Sequence, residues 1–458
     1  MVFSSISFLF FFLPTLFIIY FLTPKKFRNY TLLLFSLIFY IFGEKWYVIL
    51  LITSCLINYI CGILIEKKNR KLFLIIGLII NISLLLYYKY TNFFLDTFTN
   101  IFNLNPITLN IILPLGISFF TFQNISYLID VYRKDVNAQR NFLKYATYIT
   151  LFPQLVAGPI VRYKDVADEL ENREENTKIF SDGVIRFIVG LSKKVLIADT
   201  IYYMYTEIMK TNMTTLSYWL VAIGFTLQIY YDFSGYTDMA IGLGKMFGFN
   251  FKENFNYPLI SSSITEFWRR WHISLSSFFK DYVYIPLGGN RCSKLKNIRN
   301  ILIVWTLTGF WHGASWNFIL WGLYFFIFLI LEKFILKKYL RKGFFSHLYT
   351  LIVVIISFVI FSLTNMTDIF NFIKGMFGIN TILINHESIY HLKNNLVIIL
   401  IAVLGSGPII KNTIIKLKKG KYNKLIECLF IIFIFTIFIL SIAKIVSSSF
   451  NPFIYFRF

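Results

Sequence analysis

Apolar stretches of about 18 or more residues recur along this chain from one end to the other, with few charges inside them. A backbone immersed in hydrocarbon has no water to bond, so a spanning segment must satisfy its own N–H and C=O groups. Isolated sheets fail that condition and helices meet it. The runs therefore predict an all-α, polytopic membrane protein. Only 15% of the residues are charged, against about 25% in a soluble domain.

Basic residues between the runs set an expected topology, because cytoplasmic loops carry the excess of Lys and Arg. Phe3 to Leu22 has no basic residues before it and no small-residue cleavage site after it, which favours a retained helix over a signal peptide. It exits into Pro24-Lys25-Lys26-Phe27-Arg28, a cytoplasmic signature. Spans over Tyr30–Phe42, Trp46–Ile65, Leu72–Tyr88 and Ile111–Ile129 follow, with basic clusters on alternate ends. Later runs cover Leu216–Tyr231, Phe318–Leu336, Leu348–Leu363, Asn395–Ile410 and Leu425–Ala443. The count is roughly eleven spans plus two or three partial ones, in one integral-membrane domain over residues 1–458. Both termini fall on the extracytoplasmic side, including a tail over residues 447–458.

The net charge of +22 would suggest nucleic acid in a soluble protein. Here topology and anionic headgroups account for it, and no nucleic-acid partner is expected. The four cysteines lack metal-ligand spacing, so neither disulfide nor metal site is inferred.

Three stretches interrupt the regular pattern. Phe152 to Pro159 has two prolines and a glycine at membrane-like hydrophobicity, tolerated only inside protein or beside a wet cavity. Arg162 to Ser181 is polar and reads as a loop, and Gly183 to Ala198 reads as an amphipathic interfacial helix. Leu216–Tyr231 runs on into a segment carrying Asp232, Ser234 and Asp238, polar groups that should face the bundle interior. Gly235 and Gly242 would let helices approach closely.

The segment from Glu266 to Trp316 concentrates the chemistry. It opens EFWRRWHISLSSFFKDYVYIPLGGNR and closes GFWHGASW, placing His272 and His312 in a chain with five histidines. Trp268, Arg269, Arg270 and Trp271 precede His272, and Tyr284 and Asn290 follow it; an interfacial helix feeding a re-entrant loop fits best. His312 lies in an apolar run beside Trp311 and near Trp316. An intramembrane histidine marks a functional site, although a buried histidine bonded to a neighbouring helix is the structural alternative. Burial keeps an imidazole neutral, and a neutral imidazole can take a proton from a hydroxyl and return it.

These two motifs resemble the membrane-bound O-acyltransferase (MBOAT) family, in particular the branch holding the membrane subunit of bacterial alginate O-acetyltransferase. FPQLVAGPIVRY (152–163) and YYDFSGYTDMAIGLGKMFGFNF (230–251) resemble the same branch, in the same order. The resemblance implies a helical fold around a tunnel crossing the bilayer, with a catalytic core over residues 110–340. It implies that His312 is catalytic and that His272 supports it, with Trp311, Trp316, Asp232, Ser234, Asp238, Trp268, Arg270, Tyr284 and Asn290 supporting the tunnel and site. No bound cofactor is implied; acetyl-CoA is the expected co-substrate, its phosphates meeting Arg291, Lys294 and Lys296. The expected partners are membrane lipids, the acyl donor (acetyl-CoA or an acyl carrier protein), an extracytoplasmic acetyltransferase and a surface polysaccharide.

The YIPLGGNR ending favours this branch over its sister, which resembles it but moves D-alanine from a carrier protein to teichoic acid. Tyr455, in the tail, is a candidate acyl relay, since its hydroxyl could receive the group and pass it on. A tyrosine of an interfacial aromatic belt is the alternative there. The expected activity is O-acetylation of an extracytoplasmic polysaccharide, at the cytoplasmic membrane of a bacterium. A transporter or flippase is the contrasting class, but it would need ion-coupling residues in its spans and usually repeated halves. A scaffold for polysaccharide synthesis would not depend on His312.

Overall fold

The computed structural model describes residues 2–447 apart from 68, 157, 341, 342 and 421, and only the backbone of Lys337. Tyr455 and the rest of the tail lie outside the described residues. Among those described the chain is helical throughout, with no strand. The first half forms α1 (Leu13–Leu22), α2 (Arg28–Glu44), α3 (Tyr47–Lys67), α4 (Arg70–Leu85), α5 (Thr91–Ile101), α6 (Ile117–Arg133), α7 (Phe142–Thr150), α8 (Phe152–Leu155), α9 (Tyr163–Glu171) and α10 (Thr177–Ser192). Then follow α11 (Asp199–Ile208), α12 (Thr215–Met246), α13 (Ile264–Arg270), α14 (Ile273–Phe279), α15 (Lys294–His312) and α16 (Trp316–Phe334). The chain continues with α17 (Phe344–Ser362), α18 (Met366–Met376), α19 (His386–Gly405), α20 (Ile409–Lys418) and α21 (Asn423–Ser447).

Among the described residues six helical segments are long and apolar enough to cross a membrane: 47–67, 70–101, 316–334, 344–362, 386–405 and 423–447. The chain is thus a multi-pass membrane protein. The count of eleven is not reproduced by that criterion, because several buried helices are short or carry polar residues. The run expected at Ile111–Ile129 shows why: helix begins only at Ile117, after Pro114 and after Gly116 at φ 75°. Conversely, α4 continues through a π-turn at Leu86–Tyr90 into α5, so one helical segment runs past the expected end at Tyr88.

The chain divides into two compact units, residues 1–187 with 237–252, and residues 188–236 with 253–458. In the first, aromatic rings from the N-terminal segment, α2 and α8 form the core: Phe12 lies 5.5 Å from Phe152 and 5.6 Å from Phe39. Asn58 of α3 and Asn81 of α4, both fully buried, exchange amide hydrogen bonds at 2.6 and 3.3 Å. Such interhelical bonds hold helices where lipid supplies no hydrophobic driving force. The Phe152–Pro153–Gln154–Leu155 segment forms the four-residue helix α8 and is buried, so the unbonded backbone groups of so short a helix lie inside protein.

The polar stretch read as a loop from Arg162 to Ser181 is instead mostly helix. Tyr163, Val166 and Leu170 are the buried residues of α9, and their spacing of three and four makes one apolar stripe despite the polar composition. Within the same unit a Cβ at Gly242 would meet Gly183 O at 2.7 Å, the close approach its small size allows.

In the second unit, the end of α10, from Ile188, runs through a π-turn at Lys193–Ala198 into α11. Lys194, expected at an interface, is 3% exposed; its Nζ lies 2.6 Å from Asp199 Oδ1 and 2.9 Å from Asp232 Oδ1. That neutralisation lets α12 carry Asp232 mid-helix and run on past the expected span end at Tyr231. Lys444 of α21 donates to the Thr200 hydroxyl beside this cluster.

Candidate active site

The hairpin of α15 and α16 positions His312. Lys294–His312 forms one helix, and Gly313 then runs extended before α16 starts at Trp316. The two helices touch backbone to backbone: a Cβ at Gly309 would lie 2.3 Å from Phe318 O, and one at Gly322 the same distance from Trp305 O. Only glycine fits at such a crossing. His312 ends α15 and is 3% exposed. Its ring stands edge-on to Trp321 at 4.9 Å and to Phe361 at 5.4 Å, and 5.1 Å from Trp311.

His272 comes from a different piece of backbone. It stands between the seven-residue helices α13 and α14, neither long enough to cross a membrane, at φ 45° and ψ 54°. A left-handed conformation is uncommon for a residue with a side chain and costs on the order of 1 kcal/mol or more. Local packing holds it there. Ser263 caps α13 by accepting from Glu266 N at 3.0 Å, and the Glu332 carboxylate accepts from Ile264 N at 2.5 Å and Thr265 N at 2.9 Å.

Asn254 then fixes the imidazole. Its Oδ1 accepts from Ser274 N at 3.1 Å and Ser274 Oγ at 2.9 Å, and lies 3.2 Å from His272 Nδ1. A backbone N–H can only donate, so the Asn254 atom in this cluster is oxygen. Nδ1 therefore carries the proton and Nε2 keeps the lone pair. Full burial pushes the His272 pKa down to about 3, which keeps the ring neutral at physiological pH.

The histidine rings are 6.4 Å apart, with Trp311 5.9 Å from His272. Phe233 of α12 packs edge-on against His272 at 4.8 Å. The structure thus brings together His272, His312 and Trp311, which the sequence singled out, with Asn254, Phe233, Trp321 and Phe361, which it did not. None of these four has a signal of its own in the sequence.

A cavity of about 660 Å³ lies beside this pair. Its α15 wall is Ile301, Val304, Trp305 and Thr308, so it ends one helical turn before His312. Its other wall includes Trp268 before His272 and Leu275 and Ser276 after it. Arg269, Lys280 and Lys333, all exposed, stand in the same wall with Tyr284 and Asn290. Lys333 Nζ donates to Asn290 Oδ1 and Asn297 Oδ1 at 2.6 Å each, and Tyr284 OH donates to Asn290 Oδ1 at 2.7 Å. Among the described residues Glu332 is the one carboxylate of the lining, and the α13 N–H groups engage it. Trp268 Nε1 is a buried donor with no hydrogen-bond partner among the described residues.

Other residues named from the sequence fall elsewhere. Arg291, Lys294 and Lys296 are exposed and line no part of this cavity; Lys294 sits over the Phe334 ring at 4.9 Å. Arg270 pairs with Glu266 at 2.9 Å and donates to Asn256 O at 3.1 Å. Trp316, at the start of α16, is 52% exposed. Asp232 belongs to the Lys194 cluster, Ser234 is buried on α12, and Asp238 belongs to the first unit, where Arg186 Nη2 lies 2.8 Å from its carboxylate. Glu332 was legible in principle, as a carboxylate within an apolar run. The described residues contain no group of three or more His, Cys, Asp or Glu placed to hold a metal ion.

Comparison with known proteins bears on this arrangement directly. A probable alginate O-acetylase of Pseudomonas aeruginosa is 41% identical over 395 residues, covering 83% of this chain and 76% of its own length. A peptidoglycan O-acetyltransferase of Helicobacter pylori is 37% identical, covering 85% and 82%. A teichoic acid D-alanyltransferase of Bacillus subtilis is 33% identical but covers only 47% of this chain. The family profile described as MBOAT, membrane-bound O-acyltransferase, matches residues 137–370, a range that includes both histidines and every residue lining the cavity. With two buried histidines beside a cavity in a multi-pass helical protein, the chain belongs to the membrane-bound O-acyltransferase family and is an acyltransferase.

Proposed function

We propose that this protein takes an acetyl group from a cytoplasmic thioester, acetyl-CoA in the simplest case, and passes it across the membrane for O-acetylation of an extracytoplasmic polysaccharide. The observation that carries this reading is the cavity: cationic at Arg269, Lys280 and Lys333, and ending one turn from each histidine. Cations with no carboxylate partner among the described residues suit the phosphates of a nucleotide thioester, and the apolar wall suits its pantetheine arm. These three replace Arg291, Lys294 and Lys296 as the residues we assign to the donor.

In the reaction, neutral His312 accepts the proton of an acceptor hydroxyl as its oxygen attacks the thioester carbonyl. The carbon–sulfur bond breaks, and the departing sulfur takes the proton from the imidazolium, which leaves a free thiol and a new oxygen ester. The Trp268 indole N–H would donate to the carbonyl oxygen as charge develops on it. His272 acts as a neutral partner whose tautomer Asn254 sets.

The acceptor hydroxyl belongs to Tyr455 or to a serine of an extracytoplasmic partner, which then acylates the glycan. This reading places both termini on the extracytoplasmic side, with roughly eleven spans around a tunnel. The relatives' names divide the acceptor glycan between alginate and peptidoglycan, and either keeps the same chemistry. The deciding experiment compares surface glycan from wild type and His312→Ala at equal membrane levels, with ester-linked groups released by mild base and identified by mass. Loss of acetate supports the reading. Loss of D-alanine instead moves the protein to teichoic-acid chemistry, and no change rejects His312 as the catalytic base.

A further inference from the structure

A second cavity, of about 450 Å³, lies wholly within the first unit, where α1 ends and α10 begins. Its lining includes Lys25, Arg28, Lys245 and Glu175, with Phe21 and Thr177. Pro24 and a single 3₁₀ turn at Lys25–Phe27 join α1 to α2, and this tight connection holds Lys25 and Arg28 at the end of the apolar helix α1.

The charges do not cancel. Glu175 is the only carboxylate of the lining among the described residues, and it is engaged by Arg28 and by the Tyr20 hydroxyl, with Arg173 Nε 3.6 Å away. Arg28 is further fixed over the Tyr20 ring at 5.0 Å and the Phe21 ring at 5.7 Å. Lys25 and Lys245 form no ion pair among the described residues. Thr177 is the first residue of α10, so the positive end of a 16-residue helix adds to the same field. Like charges gathered in a concave site raise each other's energy unless an anion joins them.

The apolar side of the cavity indicates what carries that anion. Phe21, Phe180 and Met246 form it, and α1 continues outward from it with Ile18 63% and Leu22 79% exposed. A soluble phosphate would use the lysines and leave this face bare. A phospholipid uses both, its phosphate at Lys25 and Lys245 and an acyl chain along Leu22 and Ile18.

We propose that this cavity is a binding site for the phosphate headgroup of an anionic phospholipid, separate from the site of acyl transfer. The test uses the full-length protein in detergent with phosphatidylglycerol, phosphatidylcholine or inorganic phosphate, and reads bound lipid by native mass spectrometry. Phosphatidylglycerol is retained over phosphatidylcholine, and millimolar inorganic phosphate does not displace it. Neutralising one lysine weakens retention about fivefold, and Lys25→Gln with Lys245→Gln about 25-fold. Lys25→Arg with Lys245→Arg restores retention.

A photoreactive phosphatidylglycerol on the wild-type protein gives a readout that needs no variant to fold. Its adducts map to peptides spanning 18–28 or 177–180. Undiminished retention in the double glutamine variant overturns the proposal. Equal retention of the two lipids, displacement by inorganic phosphate, or adducts confined to other helices would each do the same.

Discussion

Replacing Lys194 with methionine tests the buried charge cluster behind the histidine site. Lys194 is 3% exposed and Asp232 fully buried, with Nζ at 2.6 Å from Asp199 and 2.9 Å from Asp232. At an effective dielectric near 20, each pair is worth about 6 kcal/mol of Coulomb energy, most of it offset by desolvation. Methionine fills similar volume but leaves two carboxylates facing each other out of water. Breaking a buried pair in this way costs about 3–5 kcal/mol. Lys444, beside Thr200, relieves Asp199 in part and leaves Asp232 most affected.

With an unfolding entropy of roughly 2.1 cal/mol/K per residue over this length, Tm should fall by about 3–5 °C. Because Phe233, next to Asp232, packs on His272, transferase activity should fall too. The decisive comparison adds Asp199→Asn and Asp232→Asn to Lys194→Met, which removes the charges together. Thermal melts in one detergent should show most of the lost Tm returning. A triple variant as unstable as Lys194→Met would refute the electrostatic account and point to packing, and a single variant within about 1 °C of wild type would show that the pairs contribute little.

Other expectations follow from the same geometry. His272→Asn should accumulate to wild-type levels, because asparagine tolerates the left-handed backbone, whereas His272→Val should lose about 1–2 kcal/mol more; expression and melting distinguish them. In wild type, a His272 pKa held near 3 means the ring stays deprotonated at every higher pH, so the pH–rate profile should show no inflection from it between pH 5 and 8. Gly309→Ala should cost about 1–3 kcal/mol and most of the activity, because its Cβ would lie 2.3 Å from Phe318 O; a normal melt would contradict the backbone contact. Lys333→Gln should raise KM for the thioester several-fold while leaving kcat near wild type, as expected for a contact made equally in ground and transition states.

Much of the fold could be read without coordinates, because a lipid-exposed helix announces itself in consecutive residues. Helices at 47–67, 344–362 and 423–447 match runs visible in the sequence. The pairing of the histidines had a signal as well: His272 and His312 stand out as costly residues in apolar company, and the structure buries both with their rings 6.4 Å apart. What failed were places where a distant partner decides the local outcome. Asp232 seemed to end a span, but Lys194 from another helix neutralises it, and α12 continues to Met246. Arg291, Lys294 and Lys296 were named as basic residues of a loop expected to be cytoplasmic, while the cations lining the cavity are Arg269, Lys280 and Lys333, from three separate segments.

By itself, then, the sequence determined that this chain crosses a membrane as helices and carries two histidines in the motifs of its family. Hydrophobic length and motif order are local properties, and they survive being read one residue at a time. Only the tertiary structure decided that Asn254 sets the tautomer of His272, that Trp321 and Phe361 flank His312, and that the residues lining one cavity come from both histidine-bearing stretches. Those facts are distances between side chains far apart in the chain. They depend on how two glycines let α15 and α16 touch and on how a single carboxylate holds the start of α13.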